Sequence, residues 1–179
     1  MKRIMENKID PLVKDREFKE AVGAFVIAFY ELEFGLVFLC SMTDFDIYNR
    51  DYYLKKYIGM SLEQKRNVIS DFIKEQMPEL TEVWKSINSE IGQLNKDRRY
   101  IAHGFMSYHI PSENISTYIR EKGVINERLL TVKEICTLTK RLYKVNTGEN
   151  GVNGEFHVLF AKTRINKWNR VVNDKYKIV

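Results

Sequence analysis

The stretch from Pro11 to Met42 constrains this chain most. Apolar residues recur at Phe18, Val22, Phe25, Phe29, Leu32, Leu36 and Leu39, in alternating steps of four and three. That spacing is the seam of one long helix packed against others. The other faces carry Ala24, Ile27, Phe34 and Phe38, so the helix is apolar nearly all round and is expected at the centre of a bundle. Ala21 to Met42 is also long enough to raise the question of a membrane span. Glu31 and Glu33 near its middle argue against one, since each carboxylate would cost about 2–3 kcal/mol or more at a bilayer centre. A buried helix off the membrane is therefore expected. At least one of the two glutamates then needs a cationic partner, which the structural reading places on an arginine of the third helix.

A second helical stretch is expected over roughly 52–76, broken near Gly59. Ser61-Leu62-Glu63-Gln64 has the spacing of a capping box, so a new helix starts there and ends at Met77, before Pro78. A third long helix begins near Pro78 with Leu80, Trp84, Ile87, Ile91 and Leu94 in the same alternating register. Continued, that register lands on Arg98 and Ile101, which gives an arginine a seam position. After Gly104 the pattern changes to short segments rich in aromatic and β-branched residues, Phe105 to Ile110 and Ile115 to Arg120. Pro111-Ser112-Glu113-Asn114 and Lys122-Gly123 read as turns, so a small β-hairpin or a loop of strand character is expected. Thr131-Val132-Lys133-Glu134 is another capping box, opening a helix to about Tyr143. The segment from Thr147 to Gly154, holding Gly148, Gly151 and Gly154, reads as a flexible loop before a last helix from Glu155 to about Val172. The fold class expected is mainly all-α, a bundle of four to five helices forming one domain over residues 1–179.

Composition narrows the function. Of the 179 residues 44 % are apolar and 30 % charged with the signs interspersed, which suits a folded domain and excludes a disordered tail or fibrous repeat. Cys40 and Cys136 lack the spacing of a zinc site or redox pair and read as buried thiols in a reducing compartment. The N-terminus has no apolar core or small-residue cleavage site, and a cytoplasmic location is expected. His103, His109 and His157 are scattered and have no metal-ligand spacing, and no Gly-rich phosphate loop is present, so no metal or cofactor is expected. The net charge of +5 permits a polyanionic partner without demanding one. The basic final stretch, Lys162, Arg164, Lys167, Arg170, Lys175 and Lys177, is either a solvated face or a track for RNA phosphates, with Trp168 available for base stacking.

The informative segment is Leu94-Asn95-Lys96-Asp97-Arg98-Arg99-Tyr100-Ile101-Ala102-His103-Gly104, where Arg98 and His103 are separated by four residues. Here the chain resembles the HEPN superfamily, whose ribonuclease members carry an arginine, four to six residues and a histidine. Leu-Asn before the arginine and Ile-Ala-His-Gly after it are similar to the common form of the motif. The resemblance extends upstream over about residues 20–105. Ala24 to Phe34, with its Leu32-Glu33-Phe34 end, looks like the family's first core helix, and Gly59 to Lys65 looks like the opening of the next. The chain departs from the pattern at Arg99, where the family commonly has asparagine or another small polar residue.

The resemblance implies an up-and-down helical bundle and a homodimer whose paired motifs form a shared cleft. It also implies an endoribonuclease working without a metal, acting as a toxin or antiphage defence effector under an antitoxin or regulatory partner. A catalytically silent module for dimerisation or RNA binding is the alternative. A third reading makes the site nucleotide-directed or the target of a nucleotidyltransferase, with Tyr100 as the hydroxyl. The residue types suit RNA cleavage. The 2′-hydroxyl must lose a proton, the leaving 5′-oxygen must gain one, and the phosphate charge must be held. Histidine moves protons near neutral pH, and arginine offers phosphate a planar fork of donors. The expected roles are thus His103 as general base or acid, Arg98 aided by Arg99 on the phosphate, and Glu33, at the family's polar position, orienting Arg98 or His103. On an ideal helix, residues four apart are rotated by about 40° and residues five apart by about 140°. Arg99 thus faces His103 more closely than Arg98 does. Plain structural readings stand beside these. His103 can be a helix-end histidine on the C-terminal dipole before a helix-stopping Gly104, and Arg98 can mark the end of the packed stripe, its stem over apolar surface.

Overall fold

The computed structural model describes residues 11–44, 55–108 and 115–176. Helix α1 runs over Pro11–Thr43. Its seam residues Phe18, Phe25, Phe29, Leu32, Leu36 and Leu39 are buried in one continuous cluster that reaches Phe160 near the other end of the chain. By length and composition alone this helix could cross a membrane, but its buried face is here the spine of the protein core. It is not covered all round, however. Val26, Ile27, Tyr30 and Phe34 form an exposed apolar stripe on its outer side.

Helix α2, Leu62–Gln76, follows a helical turn at 55–58 and a turn at Gly59. Its capping box is complete. The Gln64 amide donates to Ser61 Oγ (3.2 Å), and the Ser61 amide donates to Gln64 Oε1 (2.8 Å). Lys65 of α2 is buried at 2 % exposure and its Nζ lies 2.7 Å from Glu33 Oε1. The cation that answers the glutamates of α1 is therefore Lys65 and not an arginine of the third helix, while Glu31 is exposed. Pro78–Leu80 forms a single 3-10 turn. Helix α3, Thr81–His103, thus starts three residues after Pro78, with Trp84, Ile87, Ile91, Leu94 and Ile101 buried.

The chain then builds a three-stranded antiparallel sheet in the order β1 (Phe105–Tyr108), β2 (Ile115–Glu121), β3 (Val124–Leu130). The third strand goes beyond the expected hairpin. Its sequence hid it, since only Leu130 of the seven residues is buried, so no period-two apolar pattern marks it. The β2–β3 turn falls at Lys122 (φ 49°) and Gly123 (φ 86°), both left-handed as a two-residue type I′ hairpin requires. The expected Pro111–Asn114 turn and His109 lie outside the described residues.

Helix α4, Val132–Thr147, opens on the Thr131 capping box, with the Glu134 amide donating to Thr131 Oγ1 (3.1 Å). The segment that follows is not the expected flexible loop. Gly148 N–H donates to Lys144 O, Val152 N–H to Val145 O and Asn153 N–H to Asn146 O, and Val152 is fully buried. The glycines here serve close approach. A Cβ on Gly151 would lie 2.6 Å from the Asn146 carbonyl oxygen. Helix α5, Glu155–Tyr176, closes the fold, with Phe156 stacked on Trp84 (5.6 Å between centroids) and Phe160 against Phe72. Two cations of its basic stretch hold structure instead of lying free for phosphates. Arg164 donates to the Asp44 carbonyl after α1, and Lys167 pairs with Glu79 (3.6 Å). The Trp168 side chain lies outside those described.

Candidate functional site

The last two turns of α3 carry Arg98, Arg99 and His103, and this end of the helix lies against β2. Gly104 makes this docking fit. Its backbone is extended (φ −73°, ψ 144°), so no left-handed cap is needed, but a Cβ there would sit 2.5 Å from the Tyr100 carbonyl oxygen and 3.2 Å from Thr117 Cβ. The glycine supplies room, not conformation. His103 is exposed at the helix C-terminus. Among the described residues no hydrogen bond or ion pair engages its ring.

The two arginines point to different surroundings. Arg98 is half-buried with its guanidinium carbon 4.8 Å from the centre of the Phe29 ring of α1, a cation–π contact. Its Nε is buried and has no hydrogen-bond partner. Arg99 is half-exposed, and its Nη1 lies 2.5 Å from Glu121 Oε1 at the end of β2. Asp97 pairs with Arg128 of β3, and that guanidinium stands 5.6 Å over the Tyr100 ring, so Tyr100 helps join helix to sheet. Asn95 Oδ1 is buried without a partner.

Where α3 meets the sheet, a cleft of about 330 Å³ opens. Arg99 and His103 line it from α3, Phe105 from β1, Tyr118, Ile119 and Arg120 from β2, and Ile125 from β3. Of the residues picked out by sequence, Arg99 and His103 share this cleft, whereas Arg98 stands on the α1 side of the helix. Glu33 is held by Lys65. Phe105, Tyr118 and Arg120 were not readable as site residues. Period two puts Tyr118 and Arg120 on the face of β2 opposite the one from which Thr117 and Glu121 meet α3, and only the folded arrangement shows that they line the same cleft as His103.

The thiols differ. Cys40 is buried and desolvation pushes its pKa up to about 12, while its Sγ donates to the Lys65 carbonyl (3.4 Å). Cys136 is exposed, against expectation. It follows the inward-facing Ile135 by one residue, and a helix turns by about 100° in that step. Among the described residues no three His, Cys, Asp or Glu side chains cluster as metal ligands would.

Compared with known proteins, the chain matches no family model, no curated protein and no solved structure at significance. The class its fold defines is a mainly helical protein with a small antiparallel sheet docked on the end of its third long helix.

Proposed function

We propose that this chain is an endoribonuclease of the HEPN type that cuts RNA without a metal, by attack of the 2′-hydroxyl on the adjacent phosphate. The observation that carries the reading is the cleft in which His103, exposed and unengaged, faces the same space as Arg99. His103 takes the proton from the 2′-hydroxyl or gives one to the leaving 5′-oxygen, and arginine donors hold the phosphate charge as it builds. The products are a 2′,3′-cyclic phosphate and a 5′-hydroxyl, and DNA resists for want of the 2′-hydroxyl. The protein acts as a homodimer in the cytoplasm, as a toxin or defence effector whose activity an antitoxin or regulatory partner restrains. The outer stripe of α1, where Tyr30 is 73 % and Ile27 60 % exposed, supports the dimer, since a second copy would remove this apolar surface from water. Arg98, apart from His103 in its own chain, joins the site across that dimer.

Cleavage of a mixed RNA pool in EDTA tests the reading, with end-group analysis of the products. His103→Ala is expected to lose about 10²–10⁴-fold in rate, with Arg98→Ala and Arg99→Ala also impaired, each variant keeping its fold by circular dichroism. Equal cutting by all four proteins, or none by the wild type, overturns it. The Arg99–Glu121 ion pair favours a second reading, a module that binds RNA without cutting it, because part of the positive charge in the cleft is already answered.

A further inference from the structure

We propose that the sheet face beside His103 is a nucleobase platform, on which Phe105 and Tyr118 stack an unpaired RNA base while Arg120 holds a flanking phosphate. The inference rests on the reading that RNA is the substrate and names how that substrate is gripped. Phe105 is 84 % exposed, so its ring contributes almost nothing to the core it sits next to. In the sheet register it lies directly opposite Tyr118, and cross-strand partners present their side chains on the same face about 5 Å apart. The Tyr118 hydroxyl donates to Glu127 Oε1 (3.0 Å), its cross-strand partner on β3, which restrains the second ring. Arg120 lies two residues along β2, hence on the same face, opposite Ile125. It is exposed, and among the described residues no carboxylate or hydrogen-bond acceptor engages its guanidinium.

The occupant follows from the chemistry of the walls. Aromatic faces beside the exposed Arg120 guanidinium, with the nearby carboxylates of Glu121 and Glu127 engaged by Arg99 and the Tyr118 hydroxyl, suit a flat ring attached to an anion, the pairing that single-stranded nucleic acid offers at every nucleotide. Every base has a π face, so such a platform tolerates many sequences. The cleft volume, about 330 Å³, is at the small end for small-molecule sites and fits one nucleotide better than a folded partner. With the base on Phe105, the adjoining backbone runs past His103 and Arg99. The platform then sets which phosphate is presented for cutting.

The test separates binding from cutting by using a fluorescent 2′-O-methyl RNA oligonucleotide, which has no nucleophilic hydroxyl. A partner strand of equal length carries abasic sites along its centre. In anisotropy titrations the wild type is expected to bind the base-bearing strand about tenfold more tightly than the abasic one. Phe105→Ala and Tyr118→Ala lose most of that preference while binding the abasic strand as the wild type does. Phe105→Trp, which keeps a ring, retains it. Arg120→Gln weakens both strands alike and flattens the salt dependence. Equal affinity of the wild type for the two strands, no binding of either, or an unchanged preference in Phe105→Ala overturns the platform. A base preference that disappears in Phe105→Ala, in a protein that cuts no RNA, upholds the platform and removes the ribonuclease reading alone.

Discussion

His157 lies on α5 with its Nδ1 buried and without a hydrogen-bond partner, and burial holds its pKa below the ordinary histidine value. The unfolded chain therefore binds a proton at this position more readily than the folded one. Stability then falls as pH drops below about 6.5 and through the depressed folded value, and the penalty is absent above that window. His157→Gln is expected to lose less melting temperature than the wild type between about pH 7.5 and pH 5.5, a comparison that differential scanning calorimetry makes directly. An identical loss would mean that His157 becomes charged in the folded state at no cost. The two thiols separate equally cleanly. Cys40, buried with its pKa near 12, resists alkylation, whereas exposed Cys136 reacts. Mass spectrometry after iodoacetamide is expected to find one adduct on the native protein and two after unfolding. Two adducts on the native chain would show that α1 opens at Cys40. Sequence told these thiols apart poorly, because both sit among apolar neighbours and only the helix register of α4 turns Cys136 outward.

At the scale of elements, the ion pair between Glu33 of α1 and Lys65 of α2 joins the first two helices. Lys65 is the buried member, so removing its partner leaves a cation stranded in the core. Glu33→Ala is expected to destabilise by about 2–4 kcal/mol, less than a fully buried pair would lose because Glu33 keeps some contact with water. Replacing both partners together, Glu33→Leu with Lys65→Met, exchanges the ion pair for apolar volume and is expected to be near neutral in urea denaturation. Losses of similar size in both variants would assign the effect to packing rather than to charge. The helices themselves were legible. The seam of α1, the register of α3 and the boxes at Ser61 and Thr131 are local signals, written within a few residues of where they act. The partner of Glu33 was not, since Lys65 lies 32 residues away and no local pattern links them. Strand β3 and the 147–154 connection were misread for one reason. Their order comes from backbone hydrogen bonds to the preceding element, β2 for the strand and the end of α4 for the connection, while their compositions, exposed in one case and glycine-rich in the other, resemble those of unordered chain.

For the whole molecule, the separation of Arg98 from His103 within one chain carries a consequence for the proposed dimer. If the arginine of one protomer completes the site at the histidine of the other, two-fold symmetry builds two such sites per dimer. In a mixed dimer of Arg98→Ala and His103→Ala protomers, both lesions fall in one site, and the other site holds an intact arginine and an intact histidine. Co-refolding the two inactive variants in equal amounts is then expected to restore about a quarter of the wild-type cleavage rate, because half of the dimers are mixed and each has one of its two sites working. A site complete within a single protomer, served by Arg99, predicts no recovery on mixing and a far deeper loss in Arg99→Ala than in Arg98→Ala. The cleft geometry places Arg99 with His103 and Arg98 over Phe29, so the two arrangements use different arginines. Complementation reads which one touches the phosphate. Recovery would fix Arg98 as the trans donor, with Arg99 held by Glu121 as its support. Absence of recovery, with activity lost only in Arg99→Ala and His103→Ala, would place the whole reaction on the last two turns of α3 in each chain.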